Sequence, residues 1–204
     1  TEGLAWGWRV VSSAEPFTEG KPETHKDIDK GVIVITDGKN TYYTPSSLGY
    51  TDYSANKAIY STHGYPGWNG STGTNGVATQ TSSGNKSRIT ENTSVSSTAY
   101  SNDKYSEAMI AQMGTLCTNV KNSKIVLMTI ALDLDPAAAP AGDGAMISAL
   151  SSCAGESRTR VDAGGAKEKL FWNACASEVT PGCKPLNKVF EEVGDELSNL
   201  RFTG

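Results

Sequence analysis

The 204-residue sequence has no apolar run near the ~18 residues that cross a bilayer, and no positively charged leader before an apolar stretch. We therefore expect neither a membrane span nor an unprocessed precursor. A basic footprint is also missing: a net charge of −4 and a pI near 5.2 argue against nucleic acid as a general partner. The only two histidines, His25 and His63, leave little material for histidine-based catalysis or a histidine-rich zinc site.

Sequence signatures of catalysis are equally scarce. The serines at 151, 152 and 157 lack the Gly-x-Ser-x-Gly context of a nucleophile elbow. Asp133 and Asp135 follow a predicted strand, which is a suitable place for acid–base chemistry, but no nucleophile or base accompanies them. We expect a protein that is not an enzyme, and a secreted hydrolase with a doubly wound sheet is the less favoured alternative.

Four cysteines are present, and no pair has the CxxC spacing of a zinc ribbon or a redox dithiol. Cys175 and Cys183 flank a polar turn that contains Pro181-Gly182, which favours a local disulfide. Cys117 and Cys153 are then left to form a second bridge. Two disulfides imply an oxidising compartment, whereas four reduced thiols in a cytoplasmic protein are the alternative.

Buried strands alternate with amphipathic helices along the sequence. β-branched runs predict strands covered on both faces, as in a parallel sheet, over 31–36 and 124–132, and a third, shorter strand is expected over 170–173. Apolar residues three or four apart predict helices over 3–11, 102–121, 145–153 and 185–200. The fold class is therefore α/β, a three-layer, doubly wound, mainly parallel sheet. Three strands are few for it, so either the first strands lie outside this sequence or the insertion described next supplies an edge.

Residues 40–103 interrupt this alternation with a segment rich in Gly, Ser, Thr, Asn and Tyr. We interpret the segment as a long loop insertion in one domain over 1–204, because it lacks the apolar residues for its own core. Tyr42, Tyr43, Tyr65 and Trp68 form a candidate contact surface, since Tyr among Ser, Gly and Asn is typical of adaptable recognition loops. The alternatives are a variable loop without a partner, and a carbohydrate-binding or surface structural module whose aromatic residues stack on sugars.

Motifs on both sides of the insertion resemble one family. Gly-Leu-Ala-Trp-Gly-Trp-Arg over 3–9, followed by Val-Ile-Val-Ile-Thr-Asp-Gly-Lys-Asn over 32–40, is similar to the von Willebrand factor A-like region of TadG-type proteins. These proteins belong to the Tad (Flp) pilus-assembly systems of bacteria. Three further segments resemble the same family. They are Leu116-Cys117 ahead of Lys121, residues 150–154, and the closing Leu-Ser-Asn-Leu-Arg over 197–201.

This resemblance implies the C-terminal part of a von Willebrand A-like, Rossmann-like domain, with its first strand or strands missing. It further implies a non-enzymatic role in pilus assembly or adhesion, through contacts with other pilus or envelope proteins. The expected location is the periplasm, outer envelope or cell surface of a Gram-negative bacterium. Family members usually carry an N-terminal membrane anchor, which this sequence does not contain.

The family also implies a metal site. Domains of this type often hold Mg²⁺ with an Asp-x-Ser-x-Ser loop, a Thr, and an Asp that follows a later strand. Only the last ligand maps onto this sequence, at Asp37; no Asp-x-Ser-x-Ser occurs near a candidate first strand, and Thr1 lies at the wrong distance from Gly3. The resemblance thus implies an incomplete metal-ion-dependent adhesion site, with a plain Asp-Gly turn as the alternative. No other cofactor is expected.

Overall fold

A computed structural model describes residues 1–38, 59–61, 64–67, 78–80, 86–88, 102–136, 143–175 and 182–200. The chain forms two compact units, one made of Thr1–Lys39 with Met113–Gly204 and the other of Asn40–Gln112. In the second unit the structure describes two antiparallel hairpins, built from the short strands β2 (Ile59–Ser61) with β3 (Gly64–Gly67) and β4 (Ala78–Gln80) with β5 (Lys86–Arg88).

The helices form where the sequence spaces apolar residues at helical intervals. Leu4 is the buried residue of α1, and Val189 and Val193 are buried on α4, so each helix packs by one stripe. The four described helices are α1 (Glu2–Val11), α2 (Asn102–Asn122), α3 (Asp143–Cys153) and α4 (Leu186–Leu200).

A four-stranded parallel sheet forms the core of the first unit, in the order β1, β6, β9, β10. Its strands are β1 (Gly31–Thr36), β6 (Val126–Leu132), β9 (Phe171–Cys175) and β10 (Lys184–Pro185). The predicted α/β class with a mainly parallel sheet is confirmed, and β1 and β6 pair side by side along their whole length. β10 pairs only with the end of β9.

Helices cover both faces of this sheet. In a parallel ladder the paired residues share a face, so Val32, Leu127 and Thr129 point to one side. That side carries α1 and α3: a Cβ placed on Gly7 of α1 would lie 3.1 Å from Val32, and the Thr129 hydroxyl donates to the Leu150 carbonyl at 2.9 Å. The other side carries α4, whose Val189 and Val193 belong to one buried cluster with Met128, Ile130, Trp172 and Ala174.

The expectation that both strands are covered on both faces holds for β6 and is wrong for β1. On β6 the side chains of Leu127 and Met128, which point to opposite faces, are both fully buried. On β1, Val32 is 7% exposed while Ile33 and Ile35 are 39% and 48% exposed. The physical reason is position: β1 ends the described sheet, α1 covers its Val32 side, and α4 lies over the neighbouring strands.

A β-hairpin that the sequence did not indicate follows α3. Its strands β7 (Glu156–Val161) and β8 (Lys167–Lys169) are antiparallel. Asp162 closes the turn by accepting hydrogen bonds from the Gly164 and Ala166 N–H groups at 2.8 and 2.9 Å, and Gly165 adopts a positive φ of 82°.

Two disulfides fasten the first unit. One joins Cys117 of α2 to Cys153 of α3, and the other joins Cys175 at the end of β9 to Cys183 just before β10. This is the pairing that the sequence predicts. Disulfides persist in oxidising compartments, so the two bridges indicate an extracytoplasmic protein.

A crosslink restricts the unfolded chain more when it closes a longer loop, so the two bridges should contribute unequally to the free energy of unfolding. Their sequence separations are 36 and 8 residues. We expect the double variant C117A/C153A to lose about 4 kcal/mol of unfolding free energy and C175A/C183A about 2.5 kcal/mol, measured by denaturant unfolding. A larger loss for the shorter bridge would contradict this order. The variant lacking all four cysteines serves as control, because a reductant should leave its stability unchanged.

Candidate functional site

The carboxyl edge of the sheet is the first candidate site, because ligands of open α/β sheets bind beyond the carboxyl ends of the strands. The register places Thr36, Ala131 and Asn173 next to one another near the ends of β1, β6 and β9. Asp37 follows β1 and Asp133 follows β6, so both reach this edge, as the sequence predicts for Asp37.

Asp37 is exposed in a tight turn. The hydroxyl of Thr36 donates to the carbonyl of Gly38 at 3.4 Å, across this turn. The Asp-Gly turn is thus held by its own neighbours, and the carboxylate of Asp37 faces solvent.

The loop after β6 is held by polar contacts. Asp133 adopts a positive φ of 52°, and the Asp143 carboxylate accepts from the Asp135 N–H at 3.2 Å. The Asn173 side-chain NH₂ donates to the Leu134 carbonyl at 2.9 Å, while its buried Oδ1 has no hydrogen-bond partner in the described part of the chain. The carboxyl edge therefore combines a fixed loop with one unsatisfied acceptor.

The residues that the structure describes do not fit the Mg²⁺ centre that the resemblance implies. Mg²⁺ requires near-octahedral oxygen coordination and is usually held by one or two carboxylates together with a substrate phosphate. Among the described residues no group of three Asp, Glu, His or Cys side chains is placed to hold a metal ion. Asp37 alone, exposed at a turn, offers one carboxylate.

Most of the predicted aromatic contact surface lies outside the described residues. This applies to Tyr42, Tyr43 and Trp68. Tyr65 lies on β3, which pairs with β2, and its side chain is outside the description. The contact surface stays a prediction.

A polar cleft between β7, β9 and α4 is a feature that the sequence did not reveal. Its volume is about 240 Å³, and Arg160, Trp172, Lys184 and Glu192 line it. The Arg160 guanidinium lies 5.1 Å from the centre of the Trp172 ring. The Trp172 indole N–H donates to Glu192 at 2.7 Å, and the Lys184 ammonium pairs with the same carboxylate at 2.6 Å. Arg160 is itself 3.3 Å from the carboxylates of Glu168 and Glu192, but its buried Nε and Nη2 have no hydrogen-bond partner in the described part of the chain.

The pKa of Glu192 reflects these contacts. Burial raises the pKa of this carboxyl, but the hydrogen bonds from Lys184 and Trp172 and the charge of Arg160 outweigh burial and lower it below the ordinary 4.5. Nearby, the buried carboxylate of Glu196 accepts from the Ser157 hydroxyl at 2.8 Å and the Arg158 N–H at 3.2 Å. Both glutamates join α4 to the hairpin.

Exposed apolar side chains are a second feature of the described surface. They are Ile33 and Ile35 on β1, and Leu186, Phe190 and Leu197 on α4. No described strand pairs with the outer edge of β1.

Comparison with protein-family models, with curated proteins and with solved structures gives no significant match. Within the described ranges, no helix has the length and apolar character needed to span a membrane. The resemblance to the TadG-type region therefore stays a prediction from the sequence motifs.

The poor fit of Asp37 to Mg²⁺ has a measurable consequence. Titration of the oxidised chain with Mg²⁺ in a calorimeter should give no site of micromolar or tighter affinity, because a single exposed carboxylate cannot replace the hydration shell of the ion. The variant D37A is the matched control and should give the same trace. A micromolar site that D37A abolishes would show that further ligands converge on Asp37.

Glu192 should make the stability of the fold pH-dependent. Because its folded pKa is lowered, its contribution is present above the unfolded pKa and is lost as the pH falls through the folded pKa, in the acid range below about 4.5. We expect E192Q to cost about 1 kcal/mol at pH 7 and to flatten the decline of stability below pH 4.5. E191Q, which removes only an exposed pair with Lys188, should stay within about 0.5 kcal/mol of wild type. Equal acid profiles for E192Q and wild type would refute this role.

Proposed function

We propose that this chain is part of a von Willebrand A-like domain of the TadG type and acts without catalysis in the assembly or adhesion of a Tad/Flp pilus. Its contacts are made with other pilus or envelope proteins. The parallel order of β1, β6 and β9, with helices on both faces, supports the domain type. The motif Thr36-Asp37-Gly38 falls at the carboxyl end of β1, where the family carries it.

The observation that carries the proposal is the open edge of β1. The strand that bears the family's Asp ends the described sheet, and Ile33 and Ile35 beside it are exposed. A self-contained sheet normally blunts an open edge with charge or a covering element, so an edge strand with two exposed isoleucines favours contact with another protein.

A contact role also agrees with the chemistry of the described surfaces. In the cleft beside α4, Arg160 pairs with Glu168, Glu192 and Glu196, and Lys184 pairs with Glu192. At the carboxyl edge the described residues offer carboxylates and one amide, with no adjacent nucleophile and base. The described surface also carries exposed apolar side chains on β1 and α4, and exposed apolar patches mark interaction sites. The two disulfides agree with an envelope location, for which we propose the periplasm or the outer surface.

Deletion of the gene in its source bacterium tests the proposal. Surface pilin, released by shearing and measured by immunoblot, should fall at least tenfold, and adherence to glass should fall with it. Whole-cell pilin should be unchanged, because assembly and not synthesis is affected. Complementation with the wild-type gene should restore both readouts.

Normal piliation and adherence in the deletion strain would contradict the pilus assignment. A glycan array on the purified chain then tests the alternative of a carbohydrate-binding module, which binding of a defined sugar would indicate.

A further inference from the structure

The two disulfides differ in the burial of their cysteines. Cys117 and Cys153 are 1% and 3% exposed, so neither end of that bridge is open to another thiol. In the second bridge Cys175 is 4% exposed, whereas Cys183 is half-buried and follows the exposed Gly182. One cysteine of the four is therefore within reach of a thiol in solution.

This difference in burial determines which bridge can undergo thiol–disulfide exchange. A thiolate attacks one sulfur of a disulfide and the other sulfur leaves as a thiolate, so the attacked sulfur must be accessible. An incoming thiolate forms a mixed disulfide with Cys183, and Cys175 leaves as a thiolate that takes up a proton. The second thiol of the same reagent then displaces Cys183. A dithiol is thereby oxidised to its disulfide, and Cys175 and Cys183 are reduced to thiols.

The bridge between Cys175 and Cys183 fastens β10, the shortest strand of the four-stranded sheet. β10 has two residues and pairs only with Ala174 and Cys175 at the end of β9. The Lys184 ammonium also pairs with Glu192, but the Lys184 side chain is 54% exposed, and exposed ion pairs contribute less than about 1 kcal/mol. Reduction therefore leaves β10 attached mainly by a two-residue ladder and a weak ion pair, and elements with so few contacts open locally at low free-energy cost.

β10 and the residue before Cys183 also form part of the polar cleft. Gly182 and Lys184 line the cleft together with Trp172 and Glu192. Gly182 adopts a positive φ of 90°, and a Cβ placed on it would lie 3.2 Å from the ring of Pro136, so the chain is closely fitted at this point. Displacement of β10 would separate Lys184 from Glu192 and remove one wall of the cleft.

We propose that the Cys175–Cys183 bridge is a redox-sensitive latch, which a dithiol opens in preference to Cys117–Cys153 and whose opening releases β10 and one wall of the polar cleft. The buried bridge stays closed and continues to join α2 to α3. The core strands β1, β6 and β9 pair with one another without β10, so the fold persists when the latch opens. The proposal does not depend on the pilus assignment.

Selective reduction tests the first half of the proposal. The folded, oxidised chain is treated with dithiothreitol in the absence of denaturant, the reaction is stopped with acid at intervals, and the thiols are alkylated and located by mass spectrometry. Thiols at Cys175 and Cys183 should appear at least tenfold faster than thiols at Cys117 and Cys153. Equal rates for the two bridges, or faster reduction of the buried one, would overturn the latch.

Hydrogen exchange followed by mass spectrometry tests the second half. After selective reduction, the amides of residues 182–186 should exchange at least tenfold faster, whereas those of β6 should keep the protection of the oxidised chain. The variant C175A/C183A is the matched control: its residues 182–186 should exchange at the fast rate without reductant, and dithiothreitol should not change that rate. Unchanged exchange at 182–186 of the reduced wild type, or loss of protection along β6 as well, would contradict a local latch.

Discussion

The structure depends on β6, which is paired on both edges and buried on both faces. A strand in this position satisfies its backbone through strands on both sides, and β1 and β9 supply them as parallel neighbours in register. Its side chains then decide where the helices lie: Thr129 donates to the carbonyl of Leu150 on α3, and Met128 enters the cluster beneath α4. The backbone of Gly155, after α3, donates to Leu127 at 2.7 Å and accepts from Leu170 at 2.9 Å, so the hairpin begins beside the core strands.

A buried carboxyl group orients α4 about its own axis. Glu196 is 2% exposed, and a polar group at such a depth is stable only where hydrogen-bond partners reach it. The Ser157 hydroxyl and the Arg158 N–H do so, while Arg158 itself forms two hydrogen bonds with Asp29 in the segment before β1. These contacts commit one flank of α4 to the hairpin. Phe190 lies on the other flank and takes part in none of these contacts, and its side chain stays exposed.

Local sequence patterns predict the strands, the helices and the turn, but they do not predict which faces of these elements are covered. The β-branched run of β6, the helical spacing in α4 and the turn between Cys175 and Cys183 predict their structures because the information is contiguous. The same kind of run in β1 does not reveal that one of its faces is open, since coverage depends on which elements reach that end of the sheet. The hairpin, with the sequence Glu-Ser-Arg-Thr-Arg-Val in β7, was missed because Glu196 and Asp29, far away in sequence, supply its partners.

The carboxyl edge and the exposed apolar residues also differ in what could be predicted. Asp37 was placed at the carboxyl edge because strand ends and Asp-Gly turns are visible in a sequence, yet a metal site needs several ligands to converge, and the described residues do not provide them. The exposed apolar residues of β1 and α4 need no such convergence, because each is left uncovered by the position of its own element. Contact by burial of apolar side chains is therefore within reach of the described surface, whereas the turn carboxylate of Asp37 does not by itself specify a ligand.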